Sequence, residues 1–338
     1  MKNRNVAFIL ILLLSGILSS GIVQAKENVK IAVIGSIPPH FPGTNNPQEI
    51  VDKVIQFWEK EFQKVLIQKP DLIVLPEACD RPRGLSPVEQ LEYFRQRKNQ
   101  VLDFFASVAQ SNQCYIAFNS KHEVGDKEFL NSSFMLNRQG ETIGVYHKNY
   151  PTIGEMELGI KAGDEVPVFE CDFGTVACAV CFDLNFDELR QKFVAAKPDL
   201  ILFSSMYHGG LVQSYWAYSC QSYFVGAMGF VQLPSEIRNP LGQVVASSTN
   251  YFNYTVGTVN LDYELVHLDY NWEKLVDLKK KYGDAVIIND PGQVGAVLIT
   301  SEHDKVNVQQ MLAEFEIETL DEYFDRSRNF REEPGNKH

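Results

Sequence analysis

Apolar and polar positions along the chain follow two periods, which predict strands and helices in turn. Short apolar or alternating runs indicate strands, and apolar residues spaced three and four apart indicate helices. Predicted strands cover 29–37, 72–75, 114–119, 132–136, 142–147, 175–180, 200–203, 225–233, 243–247 and 255–261. Predicted helices cover 47–68, 88–111, 186–196 and 214–224. No linker or internal repeat separates them, so the pattern predicts one α/β domain with layered helices.

The ends of the chain differ from this pattern. Lys2 and Arg4 precede an apolar run of 13 residues from Val6 to Leu18, and Val23-Gln24-Ala25 ends it. This is typical of a secretory signal peptide, and the run is shorter than the ~20 residues of a membrane-spanning helix. We predict a signal peptide over 1–25, cleavage near Ala25, and a periplasmic or extracellular protein without a stable membrane anchor. Residues 26–304 form the predicted main domain, and 305–338 a helical, then highly charged, extension.

Composition narrows the class of protein. The chain has 338 residues, 45% hydrophobic and 22% charged, as in ordinary globular proteins. Its formal charge is −12, and removal of residues 1–25, with two cations and no acid, makes it −14. A nucleic-acid partner is not expected for so acidic a chain. The six cysteines are too sparse for a disulfide scaffold, although one or two bridges stay open as alternatives.

A glutamate and a lysine each follow a predicted strand. Glu77 comes after an apolar strand that Pro76 interrupts, at the sheet edge where α/β proteins bind ligands. Partial burial there would raise its pKa toward that of a general base. Lys148 follows the strand 142–147 and would stabilise an oxyanion in a dry site. Taken singly, each residue is also compatible with a solvated charge at a strand end.

Cys181 lies where the strand 175–180 ends. Strand alternation places Val176, Cys178 and Val180 on one face, and Asn185 with Glu188 resembles a capping box for the next helix. A cysteine between a strand and a helix start is accessible, and the helix amides can lower its pKa. Cys178 and Cys181 also spell Cys-x-x-Cys, but no second ligand pair at zinc spacing follows, and a redox pair would open a helix. We therefore predict neither a metal site nor a cofactor.

Taken in order, these three strand ends resemble the nitrilase superfamily of carbon–nitrogen hydrolases. The resemblance covers roughly residues 29–262. The matching stretches are Leu72-Ile73-Val74-Leu75-Pro76-Glu77, Asn131-Ser132-Ser133, Tyr146-His147-Lys148 and Cys181-Phe182-Asp183-Leu184-Asn185-Phe186. The resemblance implies an αββα sandwich that dimerises into an αββααββα assembly, or forms a higher homo-oligomer.

The resemblance also implies roles for individual residues. Glu77 is expected to be the general base, Cys181 the nucleophile that forms a thioester, and Lys148 an oxyanion donor together with the Phe182 N–H. Glu155 best matches a second glutamate of the family, with Glu157 as its rival.

Two neighbouring residues, Tyr207 and His208, follow the strand 200–203 where the family lines its pocket. They are predicted substrate contacts.

The predicted function is therefore an exported hydrolase of non-peptide carbon–nitrogen bonds, in the EC 3.5 class. Its partners would be water and a small molecule with an amide or carbamoyl group. The alternatives are nitrile hydrolysis, acyl transfer from the same thioester, or a non-catalytic secreted binding protein on this scaffold.

Overall fold

A computed structural model describes residues 28–44, 46–125, 128–230 and 232–336 of the chain. The predicted signal peptide over residues 1–25 lies outside the described residues. In these ranges, no helix has the length and apolar character needed to cross a membrane.

Strands and helices alternate through most of the described chain. The strands are β1 (Asn28–Ile34), β2 (Leu72–Val74), β3 (Tyr115–Gly125), β4 (Glu128–Leu136), β5 (Thr142–His147), β6 (Ile160–Lys161), β7 (Phe169–Cys171), β8 (Gly174–Val180), β9 (Leu200–Ser205), β10 (Tyr223–Met228), β11 (Glu236–Arg238), β12 (Val244–Ser247), β13 (Tyr254–Asn260), β14 (Tyr263–His267), β15 (Val286–Asn289) and β16 (Ala296–Ser301). The helices are α1 (Pro47–Leu66), α2 (Pro87–Arg97), α3 (Gln100–Asn112), α4 (Ile153–Glu157), α5 (Asp187–Ala196), α6 (Leu211–Cys220), α7 (Trp272–Tyr282), α8 (Val308–Glu314) and α9 (Leu320–Glu332).

Two sheets carry the architecture. The first has the order β13-β1-β2-β3-β4-β5, with β6 beside β4, and the second has the order β12-β11-β10-β9-β8-β7. Neighbours β1, β2 and β3 are parallel, as are β8, β9 and β10. Parallel strands bring their carboxyl ends to one edge of a sheet, which is where ligands bind in α/β proteins.

The two sheets stack with helices on both outer faces. Val176, Cys178 and Val180 of β8 join the apolar cluster between the sheets, whereas Ala177 and Ala179 face α5 and α6. Helices α1, α2 and α3 cover the other outer face. The predicted αββα sandwich and the predicted alternation of β8 are both confirmed.

Two predicted helices were wrong in their bounds. The helix predicted over 88–111 is interrupted between α2 and α3, where Lys98 takes a positive φ of 47° that cannot continue an α-helix. The helix predicted over 214–224 ends at Cys220, since Gln221 is left-handed, and Tyr223 already belongs to β10. In both places the apolar pattern continues past a residue whose backbone angles end the helix.

The region from residue 262 to 304 was not assigned to elements by the sequence. It forms a third sheet with the order β14-β16-β15, which packs against α7 and α8. Val266, Ile299 and Met311 share this apolar cluster, so it includes residues on both sides of the predicted boundary at 304. The extension, predicted as helical and then highly charged, contains the helices α8 and α9, and α9 includes most of its charged end.

Candidate active site

Three strand ends bring the predicted residues to one place between the sheets. Glu77 follows β2 and is 5% exposed, and Lys148 follows β5 and is 1% exposed. Cys181 follows β8 and is half-buried. The Ser204 hydroxyl of β9 donates to the Leu75 carbonyl at 2.8 Å, which ties the second sheet to the first beside Glu77.

The Lys148 ammonium lies between two carboxylates. Its Nζ donates to Glu77 Oε1 at 2.9 Å and to Glu155 Oε2 at 2.8 Å. Burial lowers the pKa of Lys148, but the two carboxylates outweigh burial and hold that pKa above its ordinary value. The lysine is therefore a fixed positive charge next to Cys181.

Glu155 is held by a second lysine that the sequence did not single out. Lys121 Nζ lies 2.6 Å from Glu155 Oε1, and the Thr152 N–H donates to Oε2 at 2.9 Å. Burial alone would raise the pKa of Glu155, but Lys121 and Lys148 outweigh it and hold the pKa well below its ordinary value. Glu155 thus stays ionised, and Thr152 caps the short helix α4 that carries it.

One buried amide connects the two glutamates. The Asn131 Nδ2 group donates to Glu77 Oε1 and to Glu155 Oε1, each at 2.9 Å. Asn131 is 0% exposed on β4, and the Lys148 N–H donates to its backbone carbonyl at 2.8 Å. Asn131 therefore positions both carboxylates and the backbone of the lysine.

Cys181 sits on a strained turn. Its φ of 47° is rare for a residue with a side chain and costs of order 1 kcal/mol. Asp183 holds this turn, because its carboxylate accepts from the Val180 N–H at 2.9 Å, the Tyr146 hydroxyl at 2.8 Å and the Tyr150 N–H at 2.8 Å. Burial raises the pKa of Asp183 to about 6. The turn has the geometry of a nucleophile elbow.

The expected low pKa of Cys181 was wrong. Burial and the Glu77 carboxylate raise the pKa of this thiol to about 12, although Lys148 and the Met206 backbone act in the opposite direction. The turn after β8 is a five-residue 3₁₀ segment, Cys181–Asn185, whose few amides do not offset the loss of water. At neutral pH Cys181 is therefore a protonated thiol beside the Glu77 side chain.

The predicted capping box was also wrong. Helix α5 begins at Asp187 with Phe186 as its N-cap and has no side-chain cap. Asn185 instead donates to the Phe182 carbonyl and to the Tyr207 hydroxyl, each at 3.0 Å. The amide thus links the turn of the cysteine to the loop after β9.

The two weaker substrate contacts lie in different surroundings. Tyr207 is close enough to Cys181 for burial and that sulfur together to raise its pKa to about 12. His208 Nε2 lies 3.0 Å from Glu236 Oε2 of β11, and its Nδ1 accepts from the Gly210 N–H. These two contacts fix the position of the imidazole ring. The roles of both residues, and that of the Phe182 N–H, stay predictions.

The sequence assigned no role to three residues of the site, Lys121, Asn131 and Asp183. Lys121 follows the buried part of β3, just as Glu77 follows a buried strand. Because β3 continues beyond Lys121, no strand end in the sequence pointed to this lysine. Asn131 and Asp183 stood in the matched stretches without a role. All six cysteines are free, and in the described ranges no three His, Cys, Asp or Glu side chains are grouped to hold a metal ion.

Comparison with known proteins places this geometry in context. A family described as carbon-nitrogen hydrolase matches residues 30–271. "Nitrilase homolog 2" of Dictyostelium discoideum is 23% identical over 208 residues, which cover 58% of this chain and 61% of that protein. "Pantetheinase" of Mus musculus is 25% identical over 198 residues, covering 57% of this chain and 38% of that protein. The chain thus spans less than two thirds of either relative.

Solved structures share the fold. An amidase mutant from Nesterenkonia sp. AN1 superimposes with a TM-score of 0.59 at 14% identity, covering 77% of this chain and 98% of that one. In that amidase, the acetamide moiety of fluoroacetamide is covalently attached to the active-site cysteine.

Proposed function

Since the chain belongs to the carbon–nitrogen hydrolase family, we propose that it hydrolyses an amide or carbamoyl group of a small molecule through a Cys181 thioester. The observation that carries this proposal is the contact of one buried ammonium, Lys148, with both Glu77 and Glu155 beside that cysteine. The acetamide moiety attached to the active-site cysteine of the similar amidase supports a nucleophilic cysteine at this place in the fold.

The first half-reaction begins from a thiol. Because the pKa of Cys181 is raised to about 12, Glu77 takes the proton as the sulfur attacks the carbonyl carbon. A carbon–sulfur bond forms, and the carbonyl oxygen becomes an oxyanion. The carbon–nitrogen bond then breaks, and Glu77 passes its proton to the departing nitrogen. The products are ammonia or an amine and the thioester.

The oxyanion needs donors that are in place before the reaction. The Lys148 ammonium is held between two carboxylates and cannot relax far from its position. Together with the Phe182 N–H it would stabilise the oxygen, and one such donor is commonly worth about 3 kcal/mol. Glu155, ionised and fixed by Lys121, keeps the lysine charged and aligned.

The second half-reaction uses the same base. Glu77 removes a proton from water, and the water oxygen attacks the thioester carbon. The carbon–sulfur bond then breaks, Glu77 passes the proton to the Cys181 sulfur, and the acid leaves. Transfer to an amine in place of water would be acyl transfer, and addition to a nitrile would use the same nucleophile.

Ammonia release from a panel of compounds tests this function. The purified protein is assayed with simple amides, N-carbamoyl amino acids and nitriles, and we expect turnover in the first two classes. Release from nitriles alone would replace amide hydrolysis by nitrile hydrolysis. An absence of turnover, with no covalent adduct on Cys181 by mass spectrometry, would contradict an enzyme and favour a binding protein.

Replacing Lys121 by methionine is expected to move the acid limb of the kcat/KM profile up by about one pH unit. The reason is that the low pKa of Glu155 depends on Lys121, so the carboxylate would take up a proton at higher pH and release Lys148. Lys121→Arg should restore the profile.

A matched control is available on β6. Lys161→Met removes an exposed lysine whose Nζ lies 3.2 Å from Glu128, and it should leave the profile in place. A Lys121→Met profile that matches the wild type would show that Lys121 does not act through Glu155.

We further propose that the protein is exported after cleavage near Ala25 and forms a homodimer or a higher homo-oligomer. The first 25 residues support export by their cations, apolar run and small residues. Amino-terminal sequencing of the secreted protein and its mass in solution by light scattering test these two statements separately.

A further inference from the structure

The β9 loop, residues 206–210, lies beside the turn Cys181–Asn185 that carries the nucleophile. Strands β8 and β9 are parallel neighbours in which Val180 pairs with Ser204, so the turn and the loop leave the sheet side by side. The backbone of Met206 hydrogen-bonds to the sulfur of the nucleophile. The position of the β9 loop therefore affects the immediate surroundings of that sulfur.

Two further contacts join the β9 loop to the turn of the nucleophile. The Tyr207 hydroxyl accepts from the Asn185 amide at 3.0 Å, and the same amide donates to the Phe182 carbonyl at 3.0 Å. Gly209 packs so closely on Leu184 that a Cβ atom added to the glycine would lie 2.5 Å from Leu184 Cδ2. Since the turn is strained, it depends on contacts of this kind to keep its shape.

A buried ion pair on β11 holds the β9 loop from its other side. His208 Nε2 lies 3.0 Å from Glu236 Oε2, and the Arg238 guanidinium donates to the same oxygen. Arg238 Nη1 in turn donates to the Ser214 hydroxyl at 2.9 Å and to the Gly242 carbonyl at 3.2 Å. The carboxylate that meets the histidine is therefore itself fixed by the arginine.

Both ring nitrogens of His208 are engaged within the protein. The Gly210 N–H donates to Nδ1 at 3.1 Å, so Nδ1 carries no proton and Nε2–H is the donor to Glu236. The Gln213 side-chain amide donates to the backbone carbonyl of the same histidine. With these contacts made, the ring is placed to hold the loop and not to contact a substrate.

We propose that His208, Glu236 and Arg238 form a positioning unit that holds the β9 loop against the turn of Cys181 in the geometry that acylation requires. This inference rests on the proposed amide hydrolysis and assigns to it residues that act without touching the substrate. A displacement of about 1 Å between reacting groups can cost about 10²-fold in rate. Loss of the unit should therefore lower kcat, whereas loss of a substrate contact would raise KM.

Kinetics of His208 variants test the positioning unit. His208→Leu should lower kcat for an amide roughly ten- to hundredfold and change KM less than about threefold. His208→Gln places an amide N–H where histidine has Nε2–H, so it should recover most of the lost kcat. The matched control is His267→Leu on β14, because His267 Nδ1 likewise accepts a backbone N–H two residues on, that of Asp269, at 3.1 Å. The control should keep kcat and KM within about twofold of the wild type.

A double-mutant cycle tests the unit through its carboxylate. Glu236→Leu together with Arg238→Met removes both charges of the buried pair, so that neither is left alone, and should lower kcat about as much as His208→Leu. Adding His208→Leu to that background should lower kcat less than about threefold further, because the contact is already lost. Melting temperatures show whether each variant is folded, and if the double variant is not, the comparison of His208→Leu with His208→Gln decides.

A raised KM with unchanged kcat in His208→Leu, or losses of kcat that multiply fully in the cycle, would overturn the inference. Labelling of Cys181 by iodoacetamide separates this result from failure of the proposed function, because it requires no turnover. His208→Leu should slow the labelling roughly three- to tenfold, since the loop backbone hydrogen-bonds to the sulfur. Slowed labelling, in a protein whose wild type releases no ammonia from any amide, would support the positioning unit and contradict amide hydrolysis. Equal labelling of the wild type and His208→Leu in such a protein would contradict both.

Discussion

Cys181→Ala is expected to lower amide turnover by at least about 10⁴-fold while the protein stays folded. The sulfur provides the bond to the acyl group, and no other thiol sits on the turn beside Glu77 and Lys148 in the described residues. The positive φ of 47° at this position makes alanine no more strained than cysteine. Ammonia release and the melting temperature, measured on the same preparation, check both parts.

Cys178→Ala is the matched control, because it removes a thiol from the same segment, three positions before Cys181. Cys178 is 1% exposed and lies in the apolar cluster between the sheets. We expect a stability loss of about 1 kcal/mol from the small cavity and near-normal turnover. Equal loss of activity in the two variants would favour a thiol–disulfide enzyme and contradict the assignment of a single nucleophile.

Lys148→Ala is expected to lower turnover by at least about 10³-fold and to lower the free energy of unfolding by about 3–5 kcal/mol. The substitution removes the oxyanion donor and leaves Glu77 without its cation in a site from which water is largely excluded. It also removes the charge that opposes the high pKa of Cys181, so the thiol becomes harder to deprotonate. Iodoacetamide should therefore label Cys181 stoichiometrically in the wild type at neutral pH and far more slowly in the variant.

Two further variants distinguish a lost charge from a lost fold. Lys161→Ala removes an exposed lysine and should leave labelling, turnover and stability near wild type. The double variant Lys148→Met with Glu77→Gln removes both charges of the buried pair, so stability should recover in large part while turnover stays lost. Equal, slow labelling of Cys181 in the wild type and in Lys148→Ala would contradict a primed nucleophile.

Sequence reasoning located the site because a strand end is a local property. Apolar runs and Pro76 indicated where β2, β5 and β8 stop, and the structure brings Glu77, Lys148 and Cys181 together at those ends. The same reasoning missed the end of α2 at Lys98, where the backbone conformation of one residue interrupts an otherwise helical pattern. It also left the third sheet unassigned. The strands β14, β15 and β16 of that sheet pair with one another and pack against α7 and α8.

The partners of the charged groups could not be predicted from the sequence. Lys121 and Glu155 are 34 positions apart, and Asn131 reaches both glutamates from β4. Such contacts depend on the register of β3 with β4 and on the position of α4, which no short pattern specifies.

By itself, the sequence determined the layered α/β fold, the order of Glu77, Lys148 and Cys181, and the resemblance to the carbon–nitrogen hydrolases. These features follow from periodicity and from residues that lie close together along the chain. Tertiary structure alone decided that the pKa of the Cys181 thiol is raised to about 12 and that Lys121 fixes Glu155. The physical reason is that burial and charge pairing are set by atoms that are distant in sequence, and these decide which proton moves and which ligand the site attracts.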